Sequence, residues 1–264
     1  MKFLKLTSAI SLALIPMSAF AGLNAIRASS NQISIQASST NVNYTETDNG
    51  TTVDTEKGNV PGFGLSVSVM QDLWLGNDYF RIAYAHASGH TSYVGQPLNG
   101  GGGYGSLTGT SGATLTDYSL RYGKGFVIGN ETLVTPYAEL GHHEWDRGVN
   151  QGETYTNSFY GAGVLGQYSP MEGVVISANA LLGTTFGSNI GVAGPSGFSG
   201  GLGSSTLYKL GVGGDYAVTK HIHANIGVDY THFDYGISAT YSGYYEPSSK
   251  TDYIVSEIGL GYSF

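Results

Sequence analysis

The sequence predicts an all-β protein, a closed antiparallel transmembrane β-barrel of ten strands, with eight as the alternative count. Three observations carry this. Apolar residues recur at every second position over segments of about ten residues, as expected of strands with one face in lipid and the other in a lumen. Short and long polar connections alternate along the chain, matching the two ends of such a barrel. After residue 21 no window approaches the roughly 18 consecutive apolar residues of a transmembrane helix. Charged residues are only 11% of the chain, against about 25% in soluble domains.

The chain has 264 residues, 41 of them glycine and 20 tyrosine, and no cysteine. Met1–Ala21 reads as an export leader, a signal peptide. Lys2 and Lys5 form its basic start, Ala9 to Met17 its short apolar stretch, and Ala19-Phe20-Ala21 its cleavage site. Residues 22–264 then form the barrel. Without cysteine there is no lipid anchor on the mature end and no disulfide. Removing the leader takes away two lysines and no acid, so the net charge moves from −8 to −10. That excludes nucleic acid as a natural partner.

The first strand, Gln32–Ser39, is the least marked. Without it, closure reverts to eight strands. The alternation is clearest in Val174–Phe186, Tyr208–Val218 and Ile222–Asp234. In the last, Ile222, Ile226, Val228 and Tyr230 oppose His223, Asn225, Asp229 and Thr231. Short turns fall near Gly76-Asn77-Asp78, Gly129-Asn130-Glu131, Ser169–Glu172 and Thr219-Lys220. Long loops fall near 41–60, 94–112, 147–153, 187–205 and 236–249. Nine alternating connections imply ten strands, with both termini on one side. Phe80, Tyr84, Tyr118, Tyr168, Tyr216 and Tyr262 stand near strand ends, where aromatic rings suit the membrane interface.

The final strand runs from Tyr253 to Phe264, with Ile254, Ile258, Leu260, Tyr262 and Phe264 on one face. Here the chain resembles the outer-membrane β-barrel superfamily of Gram-negative bacteria, the OmpA- and OmpX-like barrels. The stretch Thr135–Arg147 also resembles a motif of small uncharacterised outer-membrane proteins. The resemblance implies an outer-membrane location and an assembly signal made of Ile258, Leu260, Tyr262 and Phe264. It further implies handling by periplasmic chaperones and the barrel-assembly machinery, and contact with outer-membrane lipid and lipopolysaccharide. A monomer is expected.

Strand parity places Arg81, Asp117, Arg121, Glu139, Lys209, Asp215, Asp229 and Glu257 in the lumen. Tight turns near 130 and 219 would set Arg121 beside Glu139, Lys209 beside Asp229 and Asp215 beside His223. Glycines recur inward as Gly123/Gly125, Gly161/Gly163, Gly211/Gly213 and Gly259/Gly261. They leave room for large side chains, with Tyr137, Trp145 and Phe159 the candidates to fill it.

No catalytic set, cofactor or metal is expected. His142 and His143 are strand neighbours and point to opposite faces, so they do not chelate one ion. The segment from Asp229 to Asp234 resembles the acid–histidine pairing of ten-stranded outer-membrane proteases, the omptins, but Asp229 faces inward and His232 outward. His90 and Ser92 resemble the His-x-Ser of barrel lipid A deacylases, with no third acid placed. The Gly-, Ser- and Tyr-rich loops, such as Tyr241–Tyr245, suit adaptable recognition. The expectation is a largely plugged, non-enzymatic barrel with a structural or surface-interaction role. The alternatives are a narrow porin-like channel for small solutes and an outer-membrane hydrolase.

Overall fold

The computed structural model describes residues 22–97, 102–149, 152–195, 197–241 and 243–264. The expected signal peptide, with Ala19 and Ala21, lies outside the described residues. In chain order the elements are α1 (Gly22–Ser30), β1 (Gln32–Asp48), β2 (Thr51–Gln71), β3 (Asp78–Gly95), β4 (Leu107–Lys124) and β5 (Phe126–Ile128). There follow β6 (Thr132–Arg147), β7 (Glu153–Met171), β8 (Val174–Val192), β9 (Phe198–Gly203), β10 (Thr206–Ala217), β11 (Ile222–Tyr235) and β12 (Ser248–Ser263).

β5 and β9 are short and pair only with β6 and β8. The other strands form a closed antiparallel barrel of ten. β8 pairs with β10, and β12 pairs with β1 from Gln32↔Ser263 to Thr47↔Ser248. The eight-strand alternative is therefore excluded. The segment Gln32–Ser39 is the lower half of a strand that pairs on both sides.

Alternating burial explains why these segments are strands. Ile33, Ile35, Leu65, Val67, Ile258 and Leu260 are exposed on the outside. Their neighbours Gln32, Ser34 and Gln36 are buried inside. In water an exposed belt of this kind would be costly; in lipid it is the favourable solvent. On β1 the outward face changes after Ala37 to Ser39, Asn41 and Asn43, marking the outer boundary of the bilayer. β2 has 21 residues, about twice what a tilted spanning strand needs. The barrel therefore stands proud of the membrane.

This corrects the expected long loop at 41–60. β1 and β2 continue to a two-residue turn at Asn49-Gly50, both with positive φ (48° and 79°). Such a turn matches the twist of the flanking strands, and only Gly and Asn adopt it readily. The turn expected at Ser169–Glu172 also shifts. β7 passes through Pro170 by a register break between Tyr168 and Met171, and the turn is Glu172-Gly173.

The helix α1 was not anticipated. It lies against β2, β6, β7, β8 and β10 at the periplasmic end. Ile26 is fully buried, and Gly22 is so close to the β5–β6 turn that a Cβ would stand 2.8 Å from the Glu131 Cα. Asn31 fixes the helix end: its Nδ2 donates to the Met70 carbonyl (3.1 Å) and its Oδ1 accepts from the Met70 amide (2.9 Å). Nine residues are too few to be helical alone in water, so packing across the barrel mouth holds α1.

Candidate functional site

The lumen is built in three layers. The lowest is polar and sits on α1. Asp215 accepts from Gln32 Nε2 (2.8 Å) and Asn225 Nδ2 (2.5 Å), and meets His223 Nδ1 at 2.6 Å. A cavity of 150 Å³ lies here, bounded by Ser29, Ser30, Gln36, Gln167 and Asn179 among others.

The middle layer holds the charges expected from parity. Arg121 and Glu139 are register partners and form an ion pair, with the Glu139 side chain fully buried. Lys209 does not pair with Asp229. The turn after β10 is longer than assumed, so Lys209 opposes Thr231 and Asp229 opposes Gly211. Lys209 instead reaches across the lumen to Glu139 (3.0 Å) and lies 4.0 Å over the Phe159 ring. Asp229 accepts from Asn179 at 3.5 Å. The same shift places His223 opposite Ala217, and its contact with Asp215 is diagonal. Asp117 meets His143 Nδ1 at 2.8 Å, while His142 faces outward to Ser158 (3.1 Å). Arg81, Arg121, Asp229 and Glu257 line both the lower cavity and a second one of 180 Å³ above it. They form the partition between the two.

The inward glycines make this layer possible. A Cβ on Gly163 would stand 2.5 Å from Tyr137 Cζ, and one on Gly123 would stand 2.8 Å from Tyr137 Cβ. Gly211 gives way to Asp229 and Asn179, and Gly261 to Gln32.

The upper layer is a stopper of rings and charge. Tyr44, Trp145 and Tyr155 are fully buried; the Trp145 centroid is 5.2 Å from Tyr44 and 5.9 Å from Tyr155. Arg147, at the end of β6, lies 4.4 Å over the Tyr44 ring. Its guanidinium donates to Asp54 (2.8 Å), Glu56 (3.2 Å) and Glu153 (2.9 Å). Above it Ser238 and Glu246 are buried, and the Tyr155 hydroxyl donates to Glu246. This level lies outside the bilayer. Burial pushes the Asp54 carboxyl up to about 6 and that of Glu246 up to about 7, and Glu46 is raised by burial and by Glu246.

Sequence reasoning had Trp145 inside the barrel but missed the rest of this group, because 41–60, 147–153 and 236–249 were read as loops without parity. The Asn49-Gly50 dipeptide and the continued alternation Val42, Tyr44, Glu46 were the available signals.

The candidate chemistries separate. His232 points outward but is buried under the Tyr208 ring (4.6 Å), 2.7 Å from Asp252 and 3.7 Å from Asp234, and on the opposite face from Asp229. The omptin-like acid–histidine pair is therefore not formed by Asp229. His90 and Ser92 are exposed outward on β3, and Asp146 borders the same shallow depression as His90. Ile258, Leu260, Tyr262 and Phe264 all face outward and are exposed.

No protein-family model and no curated protein matches the chain. Solved structures do. The outer membrane protease OmpT from Escherichia coli superposes with a TM-score of 0.59 at 11% identity, over 89% of this chain and 97% of its own. This chain has the outer-membrane β-barrel fold. The translocator domain of the autotransporter NalP from Neisseria meningitidis (TM-score 0.40, 12% identity, 89% of that chain, 88% of this barrel) is also similar. So is the toluene transporter TodX of P. putida (TM-score 0.36, 9% identity, 90% of that chain, 89% of this barrel). At such identities the likeness speaks for the architecture. Fold and apolar belt together indicate an outer-membrane location for this barrel.

Proposed function

We propose that this outer-membrane barrel is non-conducting and non-enzymatic, and that it presents an extracellular surface for interaction. The observation that carries the reading is the double closure of the lumen. Arg147 and its ring cluster fill the upper end, and α1 covers the lower. A buried arginine held by three carboxylates is expensive to displace, so thermal motion alone does not open the upper stopper. The partners that fit are lipid and lipopolysaccharide around the belt, and a ligand reaching the loops from outside. Assembly runs through periplasmic chaperones and the barrel-assembly machinery, using the outward face that ends at Phe264, and yields a monomer.

A narrow channel is the second reading. Its support is that the partition between the two lumen cavities is made of side chains alone, Arg81, Arg121, Asp229 and Glu257, which line both. Planar-bilayer recording of the purified protein decides between the two. The proposal expects a flat baseline for the wild type. Reproducible conductance steps would overturn it in favour of the channel.

A further inference from the structure

The extracellular end carries more negative charge than it neutralises. A 260 Å³ cavity opens above Arg147, and five carboxylates line it: Glu46, Asp48, Asp54, Glu153 and Glu246. Arg147 bridges Asp54 and Glu153, and Asp48 accepts from the Tyr245 hydroxyl (2.9 Å). Asp54 is 5% exposed, and its Oδ1 accepts no hydrogen bond although it is buried. A buried carboxylate oxygen with no donor is costly, and the cost is removed when a donor arrives. The opening is edged by Tyr93, Phe198, Tyr244 and Tyr245, whose ring faces attract cations.

We infer that this cavity is a binding site for an organic cation carrying an ammonium or guanidinium group, entering from the extracellular side. The head group donates to the vacant Asp54 oxygen and to Glu246, and the alkyl stem lies against the tyrosine edge. An organic cation fits better than a bare metal ion. Among the described residues no three carboxylates or histidines converge closely enough to ligate a metal. The acids are spread around the wall, as a multi-donor head group requires.

Binding and protons are linked. The titratable groups lining the cavity are Glu46 and Asp48 from β1, Asp54 from β2 and Tyr93 from β3, and beneath them Tyr44 donates to Glu46 and Glu56 holds Arg147. Glu153 from β7 and Tyr244, Tyr245 and Glu246 complete the lining, with Arg147 of β6 under Asp54 and Glu153 and Tyr155 of β7 under Glu246. Burial holds Asp54 and Glu246 partly protonated near neutrality. A bound cation favours their charged forms, so it expels protons and binds more weakly in acid.

The test uses the full protein refolded in detergent micelles, with agmatine as probe in titration calorimetry at low salt. Saturable one-to-one binding is expected at pH 7.5, weakened at least tenfold at pH 5.5. Asp54→Asn and Glu246→Gln are each expected to weaken it at least tenfold, and Asp234→Asn, on the outer surface, to leave it unchanged. Failure of agmatine to saturate the wild type would overturn the inference, as would equal binding by all three variants. Full displacement of agmatine by equimolar magnesium chloride would also overturn it, by making the site a metal site. Unboiled gel mobility checks that each variant is folded, and Glu246→Gln decides should Asp54→Asn fail to fold. The inference rests on the surface-presenting reading only in that the ligand arrives from outside. Conductance together with agmatine binding would sink that reading alone; a silent barrel that ignores agmatine would sink this inference alone.

Discussion

Glu139 is the keystone of the middle layer, and its removal gives a measurable test of how the lumen is held. Its side chain is fully buried and meets two cations: Arg121, whose side chain is 11% exposed, and Lys209, 19% exposed at 3.0 Å. Glu139→Ala leaves Arg121 buried without its ion-pair partner and frees Lys209. Breaking a buried pair from one side costs about 3–5 kcal/mol. Lys209→Met is a milder change, because Glu139 keeps Arg121 and the Met stem still packs on Phe159. It should cost about 1.5–3 kcal/mol, the worth of one charge-assisted bond, less what the Met packing returns. The assay is equilibrium unfolding in urea from lipid vesicles, followed by the emission of Trp74 and Trp145. Glu139→Ala should lower the midpoint clearly more than Lys209→Met. A Glu139→Ala protein within 1 kcal/mol of wild type, or a Lys209→Met protein equally destabilised, would refute the idea that this carboxylate organises the layer.

Three further outcomes are expected. Gly163→Leu collides with the Tyr137 ring and should reduce refolding yield sharply on gels, while Gly166→Ala, whose Cβ meets nothing nearer than 3.9 Å, should refold like wild type. The carboxyls of Asp54 and Glu246 are raised by burial, to about 6 and about 7, so their contribution to stability is fully present below the ordinary carboxylate range and lost as pH rises through those values. For Glu246, a rise from about 4.3 to about 7 at about 1.4 kcal/mol per pH step makes roughly 4 kcal/mol of local destabilisation once the pH has passed that value. Protection factors of the residues flanking Glu246, taken relative to the base-catalysed intrinsic rate at each pH, should therefore fall between pH 5 and just above pH 7, and Glu246→Gln should abolish the fall. Ile26→Asp removes the buried anchor of α1, worth about 2–3 kcal/mol; added protease should then trim the N-terminal segment while the barrel keeps its heat-modifiable mobility.

Much of this architecture was legible because lipid and lumen impose opposite demands on alternate residues. The period-2 rule identified the barrel strands, the inward charges and the outward face ending at Phe264. It worked least well where the membrane's demand ends. Above Ala37 the outer face of β1 is polar, so the strand looks like loop although its inner face still carries Val42, Tyr44 and Glu46. The Lys209–Asp229 pairing failed for a different reason: register depends on turn length, and two extra residues after β10 moved the partner by two. Helix α1 was invisible because it has only Leu23 and Ile26 as apolar neighbours on one face, and its stability belongs to the barrel mouth rather than to its own sequence.

The seam between β1 and β12 has a kinetic meaning. Gln32 pairs with Ser263, so the partner of the first strand is made only after the whole of the rest of the barrel. Joining ends separated by roughly 230 residues costs about 5 kcal/mol of chain entropy before any rung of that seam is formed. Until then β1 and β12 are two open edges, each able to recruit a strand from a neighbouring chain. The seam makes folding all-or-nothing with respect to chain length: a polypeptide truncated before β12 lacks the surface that would retire its first edge, and its natural fate is association with other chains.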